Sequence, residues 1–365
     1  MDLRFHWMLP KGGEVSLDRR QTPAEANRYR IAAPRGGDSP APRPDLRGWT
    51  HFAKHAEAAG IDSVLISFSA AEPEPVTVSC ALGQAVDKLK FILAYRSGLT
   101  QPTTFVQQIN TLSALIGGRL SLNIVAGSSS AEQQGYGDFL AHDERYARAD
   151  EFLAVCDAFW RNGGDVNYDG RYYRVAHGRV LTPYAANGHK KPDIYVSGHS
   201  DASERLAVAR GSCWLRVADH PETLAPSVAR MRAQGLNVCL RMCVLCRPTR
   251  EEALADLAAL AAADEQLRTG DLLKIKDDSQ MYRDGAAIAA DQYWLDRSLW
   301  AGFVPHRGPV WTTLVGSPDD LADAFIEYKK IGVNEFILSG WPELDEVDIF
   351  GRDVLPLVRK KEREL

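Results

Sequence analysis

Residues 89–130 read LKFILAYRSGLTQPTTFVQQINTLSALIGGRLSLNIVAGSSS, and this stretch decides the fold. Leu89–Tyr95 and Leu120–Ala126 are short, nearly continuous apolar runs, the form taken by parallel strands covered on both faces. Between them, Pro102–Ile116 carries the spacing of an amphipathic helix. A proline sits in its first turn and Gly117-Gly118 stops it. Strand, helix, strand is one parallel crossover unit.

Six further apolar runs flank this unit: Leu3–Leu9, Ser63–Phe68, Ile194–Ser197, Trp214–Val217, Val238–Cys246 and Glu335–Ser339. Helical periods separate them at Leu46–Ala59, His142–Trp160, Ala202–Arg210, Thr223–Gln234, Arg250–Ala263, Pro318–Ile331 and Glu346–Arg359. Eight strand units alternating with helices predict an α/β fold, a (β/α)8 TIM barrel forming one domain over residues 1–365. Two segments exceed the repeat. Residues 19–44, rich in Arg, Pro and Gly, read as a loop insertion. Residues 264–312 read as a lid or insertion over the C-terminal face of the barrel.

Composition excludes several classes. The 365 residues are 45% hydrophobic and 25% charged, with a net charge of −5 and mixed signs along the chain. Neither a nucleic-acid partner nor a membrane partner is expected from that pattern. The opening MDLRFHWMLP is too short and polar for a signal peptide, so a cytoplasmic protein with reduced thiols is expected. Of the six cysteines, Cys243 and Cys246 have redox spacing. They sit in an apolar strand rather than at a helix start, so a core role is the expectation.

In a barrel, residues at and after the strand ends face the active site. Here they include Pro10 to Gly12, Ser67 to Ser69, Arg96 and Ser97, Asn123, Gly127 to Ser130, Ser197 to Asp201, Arg241, and Gly340 to Pro342. HExxH, GxSxG, P-loop and GxGxxG motifs are absent, as is any His/carboxylate cluster with metal-ligand spacing; no metal is expected. A bound organic cofactor that carries the chemistry fits this set. Ser197-Gly198-His199-Ser200-Asp201 enters a helix, so it is an anion cradle or a plain helix cap. Arg145 and Tyr146 are a phosphate-binding pair or part of a solvated helix start. Asn123, polar in an apolar strand, must bond either the barrel wall or a ligand.

The stretches Lys88–Arg96, Gly118–Gly127, His142–Tyr146, Tyr195–Asp201, Leu299–Gly302, Thr313–Gly316 and Phe336–Pro342, in this order and spacing, resemble the bacterial luciferase-like flavin monooxygenases. Within that superfamily the sequence is most similar to the alkanesulfonate monooxygenase branch. The resemblance covers about Leu3 to Leu357, apart from the 19–44 segment. It implies FMN at the C-terminal face, delivered in reduced form by a separate NAD(P)H:FMN reductase, with O2 as co-substrate. It also implies a small-molecule substrate and a homodimer or homotetramer. The flavin contacts it implies are Ser67 and Phe68 at the edge of the site and Asn123 near the isoalloxazine. Glu132 matches a contact in pyrimidine and sulfone monooxygenases. Arg145 and Tyr146 match a phosphate or ribityl pair, and Ser197, Gly198 and Ser200 belong to the phosphate loop.

The substrate side departs from the branch. The family's Arg-x-His on strand seven becomes Arg241-Met242-Cys243, and Tyr-Pro-His after strand eight becomes Trp341-Pro342-Glu343. Glu72 aligns with the family's cysteine, the Lys11–Gly13 region with a histidine, and Arg307 with the lid arginine. Arg241, Cys243, Trp341 and Arg307 are therefore the expected substrate-facing residues. Two arginines suit an anionic head group, but the lost His and Tyr argue against a simple alkanesulfonate. An F420-dependent oxidoreductase on the same barrel and a flavin-binding barrel without turnover are the competing readings.

Overall fold

The eight apolar runs become the eight staves of a closed barrel. The structure, a computed structural model, describes residues 2–10, 45–70, 72–161, 165–186, 188–265, 279–288, 293–341 and 343–365. The 19–44 insertion lies outside the described residues. In chain order the described strands are β1 (Arg4–Met8), β2 (Ser63–Ile66), β3 (Lys90–Tyr95), β4 (Leu120–Ile124), β5 (Val166–Asp169), β6 (Arg174–Gly178) and β7 (Asp193–Ser197). They continue with β8 (Cys213–Val217), β9 (Asn237–Arg241), β10 (Cys243–Cys246), β11 (Leu299–Trp300), β12 (Thr313–Gly316) and β13 (Glu335–Leu338). The barrel order is β1-β13-β9-β8-β7-β4-β3-β2. Its ladders are parallel, and β1 closes the ring on β13 with Arg4 opposite Glu335 and Trp7 opposite Leu338.

Strand alternation sorts the side chains. Leu65, Ile92, Tyr195, Cys213, Leu215, Cys239 and Ile337 form one cluster in the barrel interior. Their neighbours Val64, Phe91, Val196, Trp214, Val238 and Phe336 belong to the larger core under the helices. His6 and Trp7 divide in the same way. His6 faces inward, with Nε2 3.0 Å from Glu335. Trp7 faces outward and donates its indole N–H to Glu343 at 2.7 Å. At the base, fully buried Glu335 also accepts from Arg4 and Tyr195. Burial would raise its pKa, but the hydrogen bond and charge of His6, then Arg4 and Tyr195, hold the carboxyl below its ordinary range.

The helices follow their sequence signals. Asp45 caps Leu46–Ala58 by accepting from the Arg47 and Gly48 amides, and Trp49, Phe52, Ala53 and Ala56 form the buried stripe. Ser317 and Asp320 make a capping box for Pro318–Lys330. A helix at Pro75–Leu82, absent from the sequence reading, follows β2. It is short and mostly apolar, so it carries no amphipathic period, although Glu74 caps it and Pro75 opens it.

Two expected elements divide. The run Val238–Cys246 is not one strand. The ladder leaves the barrel at Met242, and Cys243 N–H turns to Thr312 O at 2.8 Å. β10 then pairs with β12 in a side sheet completed by β11. The expected helix Glu346–Arg359 is instead Glu343–Ile349, a π-helical turn at Phe350–Val354, and Leu355–Glu362. Pro356 has no N–H with which to continue the α-helical ladder across that junction. Residues 264–312 are partly described, as a helix at Gln280–Ile288, β11, a short helix at Val304–Arg307 and a 3-10 turn at Pro309–Trp311.

Candidate active site

Around the C-terminal rim, β2, β3, β4 and β7 stand side by side. Asn123 on β4 lies between Ala94 and Tyr195 in the ladder, is buried, and faces inward. Ser197 donates its hydroxyl to Asn123 Oδ1 at 2.6 Å. This pair links the end of β7 to the one polar residue of β4 that the sequence singled out.

Gly198 comes next, with φ +115°, a conformation that side chains rarely adopt. A Cβ there would meet Ser203 Oγ at 3.1 Å and Tyr146 Oη at 3.2 Å. The glycine therefore keeps open a small space walled by hydroxyls. Trp214 Nε1 donates to Gly198 O at 2.7 Å, which fixes the turn from below. Ser200 caps the helix Asp201–Arg210 by accepting from Ser203 N–H. Tyr146 is buried, with its hydroxyl 3.5 Å from Ser197 O. Burial pushes the Tyr146 phenol up, opposed by hydrogen bonds from Ser200 and Ser203. Of the two readings of this turn, the helix cap is the one seen in the hydrogen bonds.

Arg145 is placed differently. Its Nε donates to Ala126 O and its Nη1 to Leu140 O, both at 2.8 Å, so it holds the segment after β4. His199 is not a loose loop residue. Its Nε2 lies 2.6 Å from Asp284 on the helix Gln280–Ile288, which ties the 264–312 segment to the turn after β7. His199 Nδ1 is buried without a partner.

On the β2–β3 side, Phe68 lies 5.5 Å from Tyr136 between ring centroids, and Arg96 sits over both rings. Glu132 pairs with Arg96 Nη2 at 3.0 Å and accepts from Ala70 N–H at 2.9 Å. Half-buried Ser67 lines a small recess with Leu9, Trp49 and Glu72. Sequence reasoning placed Arg96 only as a strand-end position. Its parity with interior Ile92 was the available signal.

The other expected residues gather elsewhere. Cys243, Trp341, Trp300 and Phe303 share a buried cluster beside the barrel. Trp341 is fully buried, stacks on Trp311 at 5.4 Å and meets Phe303 edge-on at 5.3 Å. Arg307 lies over Trp311 at 5.7 Å. Cys246 belongs to the main core, so the two thiols of the CxxC face opposite sides of β10 and are not joined in a disulfide. Arg241 stays on the barrel. It donates to Ser339 Oγ at 2.6 Å and to the carbonyls of Met242 and Ile337. Glu343 accepts from Trp7 and from Gly340 N–H, and so is taken up in positioning the turn after β13.

Among the described residues, no group of His, Cys, Asp and Glu could hold a metal ion, and no helix is long and apolar enough to cross a membrane. A cavity of about 600 Å³ lies on the barrel's flank, lined by Asn110, Trp160, Tyr184 and Lys190, away from the strand-end set.

A family model for luciferase-like monooxygenases matches residues 27–335. The chain belongs to this family. This monooxygenase is also similar to solved structures over nearly its whole length. A riboflavin lyase crystallised with modified FMN and riboflavin aligns with a TM-score of 0.77 at 18% identity, covering 99% of this chain and 92% of that one. EDTA monooxygenase from Chelativorans sp. BNC1 aligns with a TM-score of 0.75 at 21% identity, covering 99% and 95%. A long-chain alkane monooxygenase aligns with a TM-score of 0.75 at 18% identity, covering 99% and 92%. At such identities the likeness speaks for the barrel.

Proposed function

We propose that this luciferase-like monooxygenase is the oxygenating component of a two-component system. It takes reduced FMN from a separate NAD(P)H:FMN reductase and uses O2 to oxygenate a small anionic or heteroatom-bearing substrate. The observation that carries this reading is the cradle at Gly198. Its positive φ, the hydroxyls of Ser200, Ser203 and Tyr146, and the helix start behind them suit a phosphate group. His199 Nδ1, buried without a partner on the same turn, adds a further polar atom. The residues present therefore fit FMN.

Reduced FMN, when bound, supplies the electrons that activate O2; one oxygen atom goes to the substrate and the other leaves as water. Gly198 and Ser200 would hold the phosphate, with Tyr146 as a ribityl or phosphate contact. The Asn123–Ser197 pair would orient the ring, and Ser67, Phe68 and Glu132 would be further flavin contacts. Arg145 acts through the backbone it ties. The helix Gln280–Ile288, docked through His199–Asp284, excludes water over the cradle. Arg241, Cys243, Trp341 and Arg307 shape the opposite wall. The filled aromatic cluster around Trp341 supports a substrate other than a simple alkanesulfonate. Assembly as a homodimer or homotetramer in the cytoplasm completes the reading.

The test is a titration with photoreduced FMN, followed by oxygen uptake and 18O incorporation across a panel of carboxylates, sulfonates and sulfides. Reduced FMN should bind, and one labelled oxygen should enter a product. Prompt sulfite release from alkanesulfonates would overturn the substrate assignment. Failure to bind reduced FMN would overturn the cofactor assignment.

A further inference from the structure

Arg96 directly follows β3, at the parity of interior Ile92, so its side chain belongs to the barrel mouth. The residue is 5% exposed, yet Nε and Nη1 have no hydrogen-bond partner. Among the described residues only Nη2 is engaged, by Glu132. Leaving buried donors of a charged group unpaired costs free energy, and a residue needed only to hold Glu132 gains nothing from that cost. Gln133 Nε2, on the same short helix as Glu132, is also buried and unpartnered. The unmet need on this side is for acceptor oxygens.

The rim order places this need relative to the cofactor reading. Phe68 follows β2, Arg96 follows β3, Asn123 lies on β4, and the Gly198 cradle follows β7. Arg96 thus lies beyond Asn123 from the phosphate cradle. The faces of Phe68 and Tyr136, 5.1 and 5.4 Å from its guanidinium carbon, give an organic group apolar walls beside the charge. Arg241, the arginine expected to read an anion, already donates to two carbonyls and a serine.

We infer that Arg96 is the specificity-determining residue of this site and binds the carboxylate or sulfonate oxyanion of the substrate. This inference rests on the flavin-site reading above. A guanidinium with free donors recognises such groups by charge-assisted hydrogen bonds that a neutral isostere cannot match.

The experiment uses the full chain with and without FMN, with benzoate and neutral benzamide as probes. Binding is followed by the FMN visible spectrum and, independently, by the shift in melting temperature. The wild type should prefer benzoate by about tenfold or more. Arg96→Gln should reduce the preference to within about threefold, and Arg96→Lys should keep part of it. FMN affinity should change less than about threefold in Arg96→Gln. The inference is overturned if the wild type shows no preference or if Arg96→Gln retains it. It is also overturned if Arg96→Gln loses more than about tenfold in FMN affinity, since Arg96 then serves the cofactor. Should FMN fail to bind any form, the melting shifts still report on Arg96, which separates this failure from that of the flavin reading.

Discussion

The two walls of the barrel mouth are built on opposite plans. The β4–β7 wall is made of small groups around a space: Gly198, Ser197, Ser200, Ser203 and one buried tyrosine. The β9–β13 wall and its side sheet are made of large groups with the space filled: Trp300, Phe303, Trp311 and Trp341 in mutual contact. The first wall leaves a space, whereas the second is filled by its own rings. A substitution on one wall should therefore read out in ligand affinity, and on the other in stability.

Trp341→Ala gives the largest expected effect. Removing a fully buried indole should cost about 3–5 kcal/mol in a denaturant melt while leaving FMN affinity within about threefold. A loss of affinity without a loss of stability would break the contrast. Gly198→Ala should do the reverse. A Cβ at φ +115° strains the turn and enters the cradle, so reduced FMN should bind at least about tenfold more weakly by fluorescence titration, in a protein with unchanged circular dichroism. Tyr146→Phe removes one hydroxyl from the same cradle and should weaken FMN by about two- to tenfold. Equal affinity to wild type would remove Tyr146 from the cofactor site.

The smallest effect is a pH dependence beneath the aromatic wall. Burial pushes Glu346 up to about 7, even though Arg247 and the Cys246 N–H favour its charged form. The folded state thus holds a proton that the unfolded chain releases at lower pH. The resulting stability is full below the ordinary carboxylate range and is lost as pH rises towards about 7. The melting temperature of the wild type should fall relative to Glu346→Gln between about pH 5 and 7.5. A wild-type melting temperature that rises relative to Glu346→Gln over this range would show that Arg247 dominates.

The barrel was legible because its strands are covered on both faces and so read as unbroken apolar runs. The same property hid the break at Met242. Nothing in Val238–Cys246 marks it, because the hydrogen bonds that divide the run come from Thr312, Ile337 and Ser339, far along the chain. Asn123 was legible as a polar residue in an apolar strand, and its partner Ser197 was among the strand-end positions. Arg96 was visible only as a position. Its open donors depend on Phe68 arriving from the end of β2 and on Glu132 and Tyr136 arriving from the short helix after β4. The inward and outward senses of Trp341 and Cys243 were likewise set by the side sheet, whose pairing no local pattern encodes.

The closure of β1 on β13 has a consequence for how the chain reaches this structure. Arg4 and Glu335 are 331 residues apart, and both the ladder and their ion pair require the last strand to be present. During synthesis, β1 must wait with an open edge until nearly all the rest has been made. Closure is therefore the long-range, late step of folding, and the interval before it is when the chain is most exposed to wrong partners.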